Sequence, residues 1–129
     1  MAVWRKFLSD GGLTFVQRKV KPGSVNTYRF RVTNSKSMNI WIGLEHEEPK
    51  YEWWFWLKDG WKFESKDNEW VEYTSGRVQN GDVITMIVDG EHATFKVNDV
   101  DLGVAFTDQK LLNNWVFPCI FIVDVPDQV

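Results

Sequence analysis

Cysteine is almost missing from this sequence, which has a single one, Cys119, in 129 residues. One cysteine cannot form a disulfide within the chain, and Cys119 lies in an apolar run, so we expect a buried thiol in a reducing compartment. The sequence also has no apolar run of about 18 residues, the length that a membrane-spanning helix requires. Met1 to Leu8, interrupted by Arg5 and Lys6, does not have the pattern of a secretory signal. These absences favour a cytoplasmic protein, or a nuclear one, with no membrane as a partner.

Sequence signatures of catalysis are missing as well. The two histidines, His46 and His92, lie far apart in the sequence, and no Ser-His-Asp, Gly-x-Ser-x-Gly or Cys-His pattern stands out. The acidic segment around His46 and the aspartates of the turns are more typical of solvated loops than of metal ligands. The sequence therefore predicts no enzyme activity, no catalytic residue, no metal and no cofactor.

Charge is unevenly distributed along the chain. The net charge is −3, yet residues 1–31 hold seven basic side chains and only one acidic one. Such a basic region could meet an acidic partner or a phosphate, but in a half-exposed sheet it more often marks a solvated strand face. Because the domain as a whole is acidic and its aromatic residues are not interleaved with the basic ones, nucleic acid is not expected as a partner.

A regular series of short strand patterns, separated by turn residues, fills most of the sequence. Tyr28, Phe30 and Val32 alternate with polar residues, which predicts a strand with one buried face. The segment from Met38 to Leu44 repeats this alternation and places Trp41 on the opposite face, either under a second layer or exposed. Further strands are predicted over Val3 to Leu8 and Leu13 to Val20.

The stretch from Gly81 to Phe106 organises the chain. Its first half leaves neither face polar, which indicates a strand buried on both sides. From Ala93 to Val97 apolar and polar residues alternate, as in an outer strand with one solvated face. Asp89-Gly90-Glu91 supplies the turn between them, since Asp-Gly permits a positive φ. The sequence therefore predicts a hairpin here.

The remaining segments complete an all-β pattern. Glu45 to Tyr51 is polar, contains a proline and is predicted to be a surface loop, and the aromatic run Trp53 to Leu57 that follows cannot keep every side chain on one side. Pro118 lacks an N–H, so the last strand must bulge there or leave that position unpaired. The best helical candidate is the short segment Asp108 to Asn113. About ten or eleven short strands without a repeat or linker predict a single domain, residues 1–129, folded as an antiparallel β-sandwich.

Several short motifs follow one another in a fixed order along the chain. They are Ile42-Gly43, Gly60-Trp61, Gly81-Asp82-Val83-Ile84, Val88-Asp89, Thr94-Phe95, Val97-Asn98, Leu102-Gly103-x-Ala105-Phe106 and Val116-Phe117-Pro118. This series resembles the SPRY domain, the core of the B30.2 family, and it covers nearly the whole chain. The family usually has Asn-Gly where this sequence has Asn98-Asp99, which is still competent for a turn. The PRY extension is not seen, so the chain looks like a bare SPRY domain.

The resemblance implies two bent antiparallel sheets, a concanavalin A-like sandwich with little or no helix, that recognises protein segments through loops at one end. It implies no enzyme activity. Related domains often select substrates for ubiquitin ligases or dock partners in larger assemblies. The sequence contains no RING, SOCS-box or coiled-coil segment, so a role as adaptor or substrate receptor would need another polypeptide in a multi-subunit complex.

Aromatic side chains are abundant, with eight tryptophans and nine phenylalanines. Most should fill space between the sheets, and this is the interpretation for Trp4, Trp41, Trp56, Trp61, Phe95 and Phe121. By the resemblance, the loop after the Gly43 strand and the loop before the last strand belong to the ligand-binding end. Aromatic anchors beside hydrogen-bonding groups are typical of peptide hot spots. The predicted partner-binding residues are His46, Glu47, Tyr51, Trp53, Trp54, Trp70, Asn113, Asn114 and Trp115.

Three functions are compatible with these observations. The leading one is a non-catalytic module that binds a short peptide or partner domain through its loop end. The second is a lectin-like sandwich that stacks sugars on exposed tryptophans. The third is a structural subunit whose strand aromatics, such as Trp41 or Trp53 to Trp56, are covered permanently by another chain.

Overall fold

The computed structural model describes residues 12–15, 24–33, 37–46, 51–113 and 116–122. These residues form ten strands and one short helix. The elements are β1 (Gly12–Phe15), β2 (Val25–Arg31), β3 (Ile40–His46), β4 (Tyr51–Trp56), β5 (Trp61–Glu64), β6 (Glu69–Glu72), β7 (Val83–Asp89), β8 (His92–Val97), β9 (Val100–Thr107), α1 (Gln109–Asn113) and β10 (Val116–Ile122). The strand predicted over Val3 to Leu8, and residues 16–20 of the next one, lie outside the described residues.

Two antiparallel sheets make up the fold. One has six strands in the order β1-β10-β3-β4-β5-β6, and the other has four in the order β2-β7-β8-β9. Buried apolar residues of both sheets form one cluster, and at its centre the rings of Phe55 and Phe95 lie 4.9 Å apart across the two layers. The molecule is therefore the antiparallel β-sandwich that the sequence predicts.

Strand alternation explains which side chains enter the core. Tyr28, Phe30 and Val32 are buried while Arg29 and Arg31 are exposed, so the basic residues of this segment lie on the solvated face of the four-stranded sheet. This confirms the predicted strand with one buried face.

The central hairpin is formed by β7 and β8. The core side of β7 carries Ile84, Met86 and Val88, which are at most 1% exposed, and its other side carries the half-buried Ile87. The outer side also carries the half-buried Val83 and the buried Thr85, so neither side of β7 is fully solvated. Gly90 begins the two-residue turn with a φ of 60°, as the Asp-Gly pattern predicts.

One predicted loop is shorter than expected. Glu45 and His46 belong to β3, and Tyr51 begins β4, so the prediction of a loop from Glu45 to Tyr51 is wrong at both ends. The cause is pairing: Val116 lies opposite His46, and Tyr51 lies opposite His46 on the other side, so neighbouring strands hold these polar residues in the sheet. Both Glu45 and His46 are buried as a result.

The last strand accommodates its proline without a break in register. Pro118 lies opposite Leu44 in the β10–β3 ladder, and the described pairing of β10 with β1 starts one residue later, at Cys119. The bulge that was one of the two predicted alternatives is therefore not seen.

The short helix α1 confirms the predicted helical segment before β10. None of the helical segments in the described ranges is long and apolar enough to cross a bilayer.

The six-stranded sheet is aromatic on its outer side too. Trp54 and Trp56 of β4 point away from the core residues Trp53 and Phe55, and Trp41 stacks on Phe121 with ring centroids 4.9 Å apart. We call this side the aromatic face. Trp61 also lies on it, opposite Trp56 and 41% exposed. The interpretation that Trp41, Trp56, Trp61 and Phe121 fill space between the sheets is therefore wrong, whereas Phe95 does lie in the core cluster. Trp4 lies outside the described residues.

Candidate functional site

The predicted recognition residues converge at the end of the sandwich where β3 ends and β4 begins, which we call the β3–β4 end. His46 of β3 lies between Tyr51 of β4 and Val116 of β10. Helix α1 is at the same end, because Lys110 Nζ lies 5.3 Å from the centre of the Tyr51 ring. Asn113, the last residue of α1, is exposed. The fold thus brings His46, Tyr51 and Asn113 to one end of the molecule.

Burial leaves little accessible surface on three of the predicted residues, and His46, 9% exposed, is one of them. Trp53 is fully buried in the core cluster, where its ring lies 5.1 Å from that of Tyr51. Trp54 is 2% exposed, on the aromatic face. Neither indole offers appreciable surface to a partner at the β3–β4 end.

Trp70 is half-buried on β6 and belongs to the aromatic face, where its ring contacts Trp41 and Trp56. It is therefore not grouped with His46 and Tyr51. The predicted residues Glu47, Asn114 and Trp115 lie outside the described residues.

Lys66 and Glu64 form an ion pair at the β3–β4 end. Lys66 Nζ lies 3.4 Å from Glu64 Oε2, and this carboxylate is the main cause that raises the pKa of Lys66. Lys66 also donates a hydrogen bond to the carbonyl oxygen of Thr107, at 3.3 Å. Burial, followed by the carboxylate of Asp108, raises the pKa of Tyr51, so its phenol stays protonated at neutral pH. The β3–β4 end thus presents the Lys66–Glu64 ion pair beside a neutral phenol.

A different feature, which the sequence patterns do not indicate, occupies the opposite end of the sandwich. An open cleft of about 290 Å³ lies between the β6–β7 connection and the β8–β9 turn, and we call it the end cleft. Its floor includes the buried Phe55 and Val78, and Val100 at its margin is 63% exposed. Its other lining residues are Thr74, Gly76, Arg77, Asp82, Val97, Asn98 and Leu102.

Hydrogen bonds fix one wall of the end cleft. Asn98 Nδ2 donates to Asp82 Oδ1 at 2.8 Å, and Asn98 Oδ1 accepts a hydrogen bond from the backbone N–H of Val83 at 2.9 Å. Asp82 Oδ2 accepts a further hydrogen bond from the backbone N–H of Gln79 at 2.8 Å. These bonds tie the β6–β7 connection, β7 and the β8–β9 turn together, so the wall is preformed.

Arg77 is the cation at the rim of the end cleft. Its side chain is 68% exposed, donates a hydrogen bond to the carbonyl oxygen of Lys58 at 2.7 Å and lies 3.8 Å from Asp59 Oδ1. The guanidinium is therefore held at the surface by two weak restraints while most of its donors face solvent. The cleft combines an aliphatic floor with a cation and the Asp82-Asn98 pair at its margin.

One sequence signal could have located the end cleft. Val100 follows the Asn98-Asp99 turn directly, and a large aliphatic residue next to a tight turn has little chance of reaching the core. The cleft also depends on residues from three separate connections, and their proximity cannot be read from a single sequence. Across the described ranges, no three His, Cys, Asp or Glu side chains come together as a possible metal-binding group.

The fold was compared with known proteins. No protein-family model and no curated protein matches the sequence. Among solved structures, the SPRY domain of human HERC1 matches with a TM-score of 0.77 and 17% sequence identity, over 95% of this chain and 84% of that one. The shared architecture agrees with the motif series along the sequence, from Ile42-Gly43 to Val116-Phe117-Pro118. The chain therefore has the SPRY-domain fold.

Proposed function

We propose that this domain is a non-catalytic protein-interaction module that binds a short segment of another protein at the end cleft. The observation that carries the proposal is the cleft itself, which is preformed, open, mostly apolar and bordered by a few polar groups. Its volume of about 290 Å³ is at the lower limit of the roughly 300–1,000 Å³ typical of small-molecule sites. One or two side chains of a peptide fit such a cleft better than a whole metabolite.

The lining defines the ligand. An aliphatic side chain matches the floor formed by Phe55, Val78 and Leu102, and an acidic or amide group beside it matches the exposed guanidinium of Arg77. The exposed Val100 adds apolar area that a bound segment would cover. A sugar ligand is less well matched, because the cleft has no exposed tryptophan on which a pyranose ring could stack.

The sequence-predicted surface at the β3–β4 end remains a second contact region in this proposal. Tyr51 and Asn113, the accessible residues of that surface, lie at the opposite end of the sandwich, so one short peptide does not reach both places. A partner domain that covers one side of the sandwich could contact both. A role as adaptor or substrate receptor is the form that the proposal takes if such a partner belongs to a larger complex.

Selection from a displayed peptide library tests the proposal, with Val100→Asp as the disrupting variant and Val104→Asp as the matched control. Both valines are exposed residues of β9, 63% and 51%, but only Val100 lines the cleft. Selected peptides should share an aliphatic residue next to an acidic or amide one. Loss of that aliphatic contact costs about 1.5–3 kcal/mol, so Val100→Asp should weaken binding at least tenfold.

The control variant Val104→Asp shows which results would contradict binding at the end cleft. Val104→Asp should leave the dissociation constant unchanged within about twofold. If the library yields no binders, or if both variants weaken binding equally, the end cleft is not the recognition site.

A further inference from the structure

The aromatic face contains a second cavity. Five residues, Trp41, Glu52, Trp54, Phe63 and Trp70, line a hollow of about 180 Å³ that opens to solvent. They come from the four adjacent strands β3, β4, β5 and β6, and all lie on the side of the sheet that faces away from the core. We call this hollow the aromatic pocket.

Its walls are rings inclined to one another. The Trp41 ring lies 5.7 Å from that of Trp54 and 5.0 Å from that of Trp70, at interplanar angles of 58° and 60°. The Phe63 and Trp70 rings lie 5.4 Å apart at 44°. Rings tilted in this way bound a concave space from several sides, whereas a stack of parallel rings offers a single flat platform. Each ring contributes the negative potential of a π system.

Charge on this face has one sign. The charged side chains that the described strands place on it are Glu45, Glu52 and Glu72, and all three are acidic. Glu52 is itself part of the pocket lining, and Glu45 is its cross-strand neighbour on β3. Carboxylates beside aromatic rings favour a cation over an anion or a neutral group.

We propose that the aromatic pocket binds a methylated lysine side chain of a protein partner. Methylation keeps the positive charge of the ammonium group. Its methyl substituents also make apolar contacts with aromatic rings, and water cannot make such contacts with the free side chain. An unmodified lysine ammonium is a compact, strongly hydrated charge that loses more on entering an aromatic pocket. The partly exposed rings of Trp41, Phe63 and Trp70, with Trp54 behind them and the Glu52 carboxylate at the wall, match the methylated form.

Two other ligands fit less well. A sugar needs a flat, accessible ring on which to stack, and Trp54 is only 2% exposed while the other walls are tilted. A purely aliphatic side chain gains nothing from Glu52. The proposal is independent of the end cleft, which lies at an end of the sandwich and shares no lining residue with the aromatic pocket.

Titration with small probes tests the cation requirement on the wild-type protein. The probes are the N-acetylated amides of trimethyl-lysine, of unmodified lysine, of arginine and of the neutral isostere in which a tert-butyl group replaces the trimethylammonium group. Binding is followed by tryptophan fluorescence and by the indole N–H resonances. Trimethyl-lysine should bind about tenfold more tightly than the neutral isostere, the effect of one buried cation–π interaction. It should bind more tightly than unmodified lysine by a similar factor, because the unmethylated ammonium is more strongly hydrated.

Three variants locate the site. Trp70→Ala removes one wall and should abolish detectable binding, whereas Trp61→Ala, which removes an exposed tryptophan of the same face outside the pocket, should leave the dissociation constant within about twofold. Glu52→Gln keeps the shape of the lining and should weaken binding of the charged probe but not of the neutral isostere. If Trp70→Ala fails to fold, Glu52→Gln still tests whether the pocket binds the charged probe.

Several results would overturn the proposal. They are equal affinity for the neutral isostere, tighter binding of arginine, equal effects of Trp61→Ala and Trp70→Ala, displacement of the probe by an oligosaccharide, or no binding of any probe. Val100→Asp, the variant of the end cleft, should leave trimethyl-lysine binding intact, so failure of one site is distinguishable from failure of the other.

Discussion

Asn98 and Asp99 occupy the β8–β9 turn, and both have a left-handed backbone, with φ of 50° and 68°. Both polar atoms of the Asn98 side chain form hydrogen bonds, Oδ1 with the backbone N–H of Val83 and Nδ2 with Asp82. The side chain of Asp99 is exposed. A left-handed backbone costs a residue with a Cβ free energy that glycine does not lose.

Asp99→Gly should therefore stabilise the domain. The expected gain in the free energy of unfolding is about 0.5–1 kcal/mol, since relief of the left-handed conformation outweighs the added freedom of the unfolded chain. Urea denaturation of the two proteins measures it. Asp99→Ala is the matched control and should destabilise, because alanine tolerates a positive φ less well than aspartate does; a gain in stability with alanine would contradict the argument.

Single residues also show where sequence reasoning ends. The aromatic run from Trp53 to Leu57 was correctly predicted to divide between two sides, but the sequence does not say which indole faces the core. The pairing decides it: Trp53 lies opposite the core residue Leu44, and Trp54 lies opposite Gly43. Gly43 leaves room for this approach, since a Cβ there would lie 1.9 Å from the carbonyl oxygen of Trp53.

At the scale of elements, β9 shows how an edge strand is closed. It is the last strand of the four-stranded sheet, and three alternate carbonyl groups of β9 accept hydrogen bonds from side chains of the other sheet and its turns. Lys62 donates to Ala105, Lys66 to Thr107 and Tyr73 to Gly103. Exposed edges invite pairing with other chains, so these donors both fasten the sheets together and protect the edge.

Lys62→Met should destabilise the domain more than Lys66→Met does. The Lys62 side chain is 23% exposed and its ammonium lies over the rings of Tyr73 and Phe106, whereas Lys66 is 45% exposed. We expect losses of about 1–2 kcal/mol for Lys62→Met and under about 0.5 kcal/mol for Lys66→Met. Chemical denaturation measures both. Equal losses would show that the Ala105 carbonyl is not held by Lys62 in solution.

The sequence predicts most elements but little of their arrangement. The alternation of apolar and polar residues and the Asp-Gly turn were sufficient to predict the β7–β8 hairpin. The short polar segment before β10 was correctly predicted to be a helix. The position of β10 between β1 and β3 depends on contacts between residues about 75 to 110 positions apart, such as Cys119 with Gly43 and Gly12 with Ile122. No local pattern reports such contacts, and the misplaced loop at Glu45 and His46 follows directly from this.

For the molecule as a whole, the sandwich architecture could be predicted but the location of its cavities could not. The motif series indicated two sheets with loops at their ends, and the candidate residues were placed at the β3–β4 end. The end cleft is at the other end, and the aromatic pocket is on a sheet face. A cavity is the space left between segments distant in sequence, so its position depends on the packing of the complete fold.

The stability of the whole molecule should fall at alkaline pH. All three tyrosines have a raised pKa, and burial raises that of Tyr73 to about 12 from its ordinary value of 10.0. The folded protein therefore holds the Tyr73 proton more tightly than the unfolded chain does. This contribution to stability is complete below pH 10 and is lost as the pH rises from about 10 through about 12.

Denaturation in urea at a series of pH values, together with the tyrosinate absorbance, checks this expectation. Tyr73→Phe isolates the residue, because it keeps the ring contacts with Phe55 and Phe95 but removes the ionisable hydroxyl. The decline above pH 10 should be shallower in Tyr73→Phe, and the last tyrosine to ionise in the wild type should be missing from its absorbance titration. Identical slopes in the two proteins would mean that Tyr73 ionises as freely in the folded state as in the unfolded chain, and the two sheets would then not enclose it as described.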